Sequence, residues 1–125
     1  MLVLIYNIVL ISLAITLLPL ILIAFIVQPK VRAGFWEKIG FYSFDKKGQK
    51  TTVFHAVSVG ETNAIKDLLK EYREKHPNEV IVVTTTTRTG QDIAQKAFKD
   101  IVDKVTYYPY DFFFSILSFL NTFNP

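Results

Sequence analysis

Cysteine is absent from the 125-residue sequence, and only two histidines, His55 and His76, could offer imidazole. Disulfides, thiolate catalysis and cysteine-ligated zinc are thereby excluded, and the two histidines have no paired spacing that would support a metal site. Charge is missing from an entire segment: Met1 to Pro29 contains no Asp, Glu, Lys, Arg or His. The basic leader that opens a signal peptide is missing too, since no Lys or Arg precedes the apolar run. Neither the GxGxxG fingerprint nor the GxxxxGK[ST] phosphate loop occurs, so a dinucleotide site of that type and a P-loop are rejected. There are no internal repeats and no low-complexity segment.

What is present begins with that apolar run. Leu2 to Val27 is almost wholly Leu, Ile, Val, Ala and Phe. A bilayer core of about 30 Å needs roughly 20 apolar residues in a helix. A transmembrane anchor over residues 1–28 is therefore expected. A cleaved signal peptide and a buried soluble helix are the competing readings. Pro19 lies inside the run, a break that membrane helices tolerate better than soluble ones. Lys30, Arg32 and Lys38 follow directly, which places the C-terminal side in the cytoplasm by the positive-inside rule. The formal net charge of +3 is concentrated here: Lys30, Arg32, Lys38, Lys46, Lys47 and Lys50 face only Glu37 and Asp45. That excess sets topology and also suits anionic lipid headgroups.

Residues 29–50 read as a basic juxtamembrane connector with a turn at DKKGQK. From residue 51 the pattern changes. Thr51 to Val57 is β-branched and aromatic, the composition of a buried strand. Thr62 to His76 reads as a helix, with Ala64, Ile65, Leu68, Leu69 and Tyr72 at helical spacing. Glu79 to Thr86 is apolar on consecutive positions, as in a parallel strand covered on both faces. A second helix from Gly90 to Phe98, a short strand ending near Pro109, and a third helix from Phe112 to Leu120 complete the order. Alternating strand and helix predicts a Rossmann-like α/β sheet over residues 51–125, with any ligand at the edge where strands end and helices begin. Three loops meet that edge: SVGE, TTTRTG and YPYD.

The first loop, in HAVSVGE (His55 to Glu61), places a glycine and then a carboxylate at a helix start. Gly60 can take a backbone conformation that other residues resist. The free N–H groups and dipole of a helix N-terminus favour the negative charge of Glu61. A carboxylate at the ligand edge suits a general base if a substrate hydroxyl comes within reach; it equally suits a residue that serves only its helix. Thr84 to Thr87, with Thr89 and Gly90, could hold a phosphate or a sugar, or could be a strand end with capping threonines. Asp111 suits a helix cap. His55 reads as a satisfied residue within a strand.

Four segments together resemble the N-terminal part of the 3-deoxy-D-manno-octulosonic acid (Kdo) transferase family. They are RAGFWEKIG (Arg32 to Gly40), HAVSVGE, the TTTTxTG stretch (Thr84 to Gly90) and PYD (Pro109 to Asp111), in the family's order and spacing. Lys38 stands where the family has a second arginine. The resemblance covers nearly the whole chain. It implies the acceptor lobe of a two-lobed GT-B glycosyltransferase, which transfers Kdo from CMP-Kdo to the lipid A precursor with inversion and without a cofactor or metal. On that resemblance Glu61 is the base, and Arg32, Gly34, Glu37, Ser58, Gly60 and Thr87 are acceptor-side residues. Arg32 and Lys38 could meet acceptor phosphates. The implied partners are the lipid A precursor, the bacterial inner membrane at its cytoplasmic side, and CMP-Kdo only through a C-terminal lobe; no nucleic-acid partner is expected. The chain stops short of the family's E-T-E-x-W-P-like segment and of the donor lobe, so the isolated chain is expected to be inactive. The alternative is a non-catalytic, membrane-anchored α/β module that binds a partner.

Overall fold

The apolar run folds as two helices rather than the one expected. The computed structural model describes residues 1–45 and 47–125; Lys46, in the expected connector turn, lies outside the described residues. Helix α1 covers Leu2–Thr16 and α2 covers Leu18–Val27. Their axes bend by 63°. Pro19 explains the break: it has no N–H to donate to residue 15, and its ring crowds that carbonyl. Among the described residues no single helix is long and apolar enough to cross a membrane; only this bent pair passes by length and composition.

The connector is also more ordered than its composition suggests. Two short helical turns, α3 (Pro29–Arg32) and α4 (Phe35–Lys38), flank Gly34, whose φ of +65° makes the corner. Strand β1 (Thr51–His55) then leads into α5 (Val59–Ala64) and α6 (Lys66–Lys75). Strand β2 (Val80–Thr85), α7 (Arg88–Ala97), β3 (Lys104–Tyr107) and α8 (Phe113–Phe123) follow.

The result is an α/β fold around an open three-stranded parallel sheet of order β1-β2-β3. Thr51 pairs with Val80 and His55 with Thr84; Val82 pairs with Lys104 and Thr85 with Tyr107. Every residue of β2 is buried. Successive side chains of a strand point to opposite faces, and both faces of β2 are covered. Ile81 and Val83 pack with Leu69, Ala94 and Phe98 on one side. Val80 and Val82 pack with Phe119 and Phe123 on the other, where Tyr42, Phe44 and Val53 join them. Burying each such side chain contributes roughly 1.5–3 kcal/mol.

Two expected helical positions fall outside the core. Ala64 and Leu68 are exposed, while Thr62 and Leu69 are buried. The single helix expected over 62–76 begins earlier, at Val59, and is interrupted at Ile65, which rotates its buried stripe. At the opposite end of the sheet from the strand exits, the Glu79 carboxylate accepts hydrogen bonds from Lys50 Nζ (2.9 Å), Tyr72 OH (2.8 Å) and Thr52 Oγ1 (3.0 Å). These partners, Lys50 first, hold the Glu79 carboxyl down at a pKa of about 2.

Candidate functional site

The C-terminal ends of the three strands bring the three loops to one rim. At the first, Ala56 N–H still pairs with Thr84 O (2.9 Å), and the chain then turns at Ser58. Ser58 is extended (φ −117°, ψ 165°) and caps α5, its Oγ accepting from Glu61 N–H at 3.3 Å. Thr62 Oγ1 donates to Ser58 O at 2.9 Å. The Glu61 side chain reaches back and accepts from Val57 N–H at 2.7 Å through Oε2. This is the reciprocal logic of a capping box, with the carboxylate reaching one residue further than the cap itself. Glu61 is exposed, and its Oε1 makes no hydrogen bond among the described residues.

Gly60 does not take the left-handed backbone expected of it. Its φ is not positive, and a Cβ there would meet only Ser58 Oγ, at 3.8 Å. The turn is set by the Ser58 and Glu61 side chains instead. The residues of this chain whose glycine is demanded are elsewhere, Gly34 first among them.

Thr84 to Thr87 of the second loop each have a partner within the chain. Thr84 Oγ1 lies 2.9 Å from His55 Nδ1. Thr85 Oγ1 donates to Gln91 Oε1 (2.6 Å), and Thr86 Oγ1 donates to Val57 O (3.1 Å), tying the second loop to the first. Thr87 is the N-cap of α7 and accepts from Gly90 N–H at 3.1 Å. Thr87 itself is exposed at the rim.

The third loop is joined to the segment after α2. Tyr108 N–H donates to Thr85 O (2.8 Å), and Tyr110 N–H donates to Lys38 O (2.7 Å). Glu37 Oε2 accepts from both Thr106 Oγ1 and Tyr107 N–H, each at 2.9 Å. Gly34 lies against the Tyr107 ring, so close that a Cβ would sit 1.9 Å from Cδ2. Lys38 Nζ lies 4.5 Å from the centre of the same ring. Burial pulls the Lys38 ammonium below its usual pKa, opposed in part by neighbouring Glu37. Asp111 does not cap α8: the N-cap is Phe112 with no side-chain bond, and Phe113 N–H donates to Asn7 Oδ1 of α1 at 3.1 Å.

Ser58, Gly60, Glu61 and Thr87 therefore share the β1–β2 side of the rim. Gly34 and Glu37 are engaged at the end of β3, with β2 between. Arg32 is exposed at the end of α3. His55, read from sequence as a strand interior, is exposed at the rim with its ring 4.4 Å from that of Tyr108. Its signal was its position as the last residue of β1, where a side chain leaves the sheet for the loops.

A family model described as 3-deoxy-D-manno-octulosonic-acid transferase matches residues 33–125. The chain belongs to that family. Two members are similar to it: a 3-deoxy-D-manno-octulosonic acid transferase of Haemophilus influenzae is 34% identical over 99 residues, and one of Chlamydia pneumoniae 27% identical over 121. These alignments take in 78% and 96% of this chain but only 23% and 28% of the relatives, so the chain spans about a quarter of their length. No solved structure matches it. The family match begins one residue after Arg32 and includes every other candidate residue of the rim and the β3 end.

Proposed function

We propose that this chain is the acceptor-side portion of an inverting glycosyltransferase that moves Kdo from CMP-Kdo to a lipid A precursor at the cytoplasmic face of the bacterial inner membrane. Residues 51–125 form part of a Rossmann-like acceptor lobe of a GT-B enzyme, and the donor is held by a further lobe. Glu61 is the base. Its carboxylate takes the proton of the acceptor hydroxyl as that oxygen attacks the anomeric carbon of Kdo, and the bond to CMP breaks from the opposite face.

The observation that carries this reading is the way Glu61 is held. One carboxylate oxygen is fixed on the Val57 amide and the other is available at an exposed rim. A base needs that combination of fixed position and reach to a substrate proton. Ser58 and Thr87 flank it as hydroxyl-bearing caps. Arg32, Gly34 and Glu37 act on the acceptor side chiefly through the surface that the segment forms when packed on Tyr107.

The test joins this chain to all of the Haemophilus influenzae relative that follows the aligned 23% and assays Kdo release from CMP-Kdo and transfer to lipid A precursor. Transfer is expected from the joined protein and not from the 125-residue chain alone. Glu61→Gln in the joined protein is expected to lose about 10²–10⁴ in rate, the usual contribution of general base catalysis. Unchanged turnover would remove Glu61 from the chemistry.

A further inference from the structure

Helix α8 has an unusual surface. No charged residue occurs from Phe112 to Pro125. One stripe, Ser115, Phe119 and Phe123, is buried, with Phe119 and Phe123 against Val80 and Val82. On the other side Phe113, Phe114, Leu117 and Leu120 are 60%, 56%, 44% and 46% exposed. A surface helix of a water-soluble domain carries mostly polar residues there; here Asn121 is the polar residue among four large exposed apolar ones, a patch of the kind that marks a contact surface.

The position of α1 indicates what covers it. If the apolar helices led away from the sheet as a stalk, Asn7 would lie far from the globular part. Instead Asn7 Oδ1 accepts the Phe113 amide proton, so the start of α8 sits beside the first third of α1. A cavity of about 530 Å³ runs between them, lined by Val3, Leu4, Ile11, Phe113 and Phe114. Further along, Phe25 of α2 packs edge-on to Phe35, with ring centres 5.0 Å apart. The bent pair thus lies along the domain. Leu117 and Leu120 of α8 line one groove with Val3 and Tyr6 of α1, and outward side chains of the pair such as Leu2, Val9, Leu20 and Val27 are exposed like the α8 face. At 1.5 Å per residue, α1 is roughly 22 Å long and α2 roughly 15 Å, each short of the roughly 30 Å hydrocarbon core. Lys30 and Arg32, both exposed, follow the pair, where they complement anionic headgroups.

We propose that α1, α2 and the Phe113–Phe114–Leu117–Leu120 face of α8 form one surface seated in a single leaflet of an anionic bilayer, with α8 as a second lipid-contacting element. The bend and the Asn7 link serve this seating. The proposal is independent of the transferase reading, because it concerns where the chain meets lipid and not what it catalyses.

The absence of cysteine allows a direct test. The full chain is reconstituted into phosphatidylethanolamine–phosphatidylglycerol vesicles, carrying an environment-sensitive fluorophore at Phe114→Cys. Leu117→Cys is a second position on the same face, and Lys70→Cys on α6 is the control. Iodide in the water and doxyl groups on the lipid chains serve as quenchers. At 114 and 117 the expected result is quenching by doxyl lipid with loss of iodide quenching, and the reverse at 70. Iodide quenching at 114 and 117 overturns the proposal, because the face is then in water. Quenching there by neither agent also overturns it, because a second copy of the chain then covers the face.

Discussion

The Glu61 carboxylate and the Val57 amide are joined by a 2.7 Å hydrogen bond that closes the first loop onto itself. The same side chain therefore has a structural task beside the chemical one proposed for it, and substitutions separate the two. Glu61→Gln keeps an oxygen acceptor for Val57 and removes the base, so stability should change by less than about 0.5 kcal/mol, as for a benign surface change, while transfer falls. Glu61→Ala should lose the hydrogen bond as well, at about 1 kcal/mol. Chemical denaturation of both variants, beside the transfer assay, distinguishes the two tasks.

Gly34→Ala is expected to damage the fold. The position has φ +65°, and the new Cβ would sit inside the Tyr107 ring. The backbone term is about 1–2 kcal/mol, and displacing a packed ring adds about 1–3 kcal/mol. A thermal-shift measurement reads the sum. A Gly34→Ala protein as stable as the parent would mean that the segment does not pack on β3 as described.

Glu37 and Arg32 lie in the same sequence segment but should behave differently. Glu37→Ala strands the buried Thr106 hydroxyl and the Tyr107 amide, a loss of about 1–3 kcal/mol. Arg32→Ala, at an exposed position, should change stability by no more than about 0.5 kcal/mol. Any effect of Arg32→Ala on transfer in the joined protein is then read as an effect on the acceptor. Equal destabilisation by both would contradict the geometry.

Acid should weaken the edge of the sheet through Glu79. Its pKa is lowered from 4.5 to about 2 in the folded chain, so its contribution is present above pH 4.5 and is lost as pH falls through about 2. Glu79→Gln should flatten the pH dependence of stability across that window. Denaturation curves at several pH values check the difference in slope.

Pro19→Leu restores a backbone donor to the helix interior, so the 63° bend between α1 and α2 should relax. Spin labels at Leu10→Cys and Leu22→Cys should move apart, as measured by pulsed dipolar spectroscopy. An unchanged distance would assign the bend to packing against Phe35 and Phe113 rather than to proline.

The sheet was legible because its signal is local. Val80 to Val83 is apolar on consecutive positions and wholly β-branched, which fits a short strand covered on both faces, and alternation of strand and helix then favours parallel pairing. Helix starts were displaced by a few residues because Ser58 and Thr87 act as caps ahead of the first periodic apolar residue. The contacts of the segment from Arg32 to Gly40 were not legible for a different reason: Glu37 finds its partners 69 and 70 residues away, on β3. No local pattern carries such a pairing. The exposed carboxylate of Glu61 was foreseeable from its spacing after Ser58; its reach to Val57 was not, since that depends on the loop geometry.

Because Gly34, Glu37 and the Lys38 carbonyl fasten the chain to the end of β3, the distance from the greasy helices to the loops is a constant of the molecule rather than the length of a swinging leash. Lengthening this stretch should therefore not extend the protein's working radius. It should break the gauge between the apolar helices and the rim.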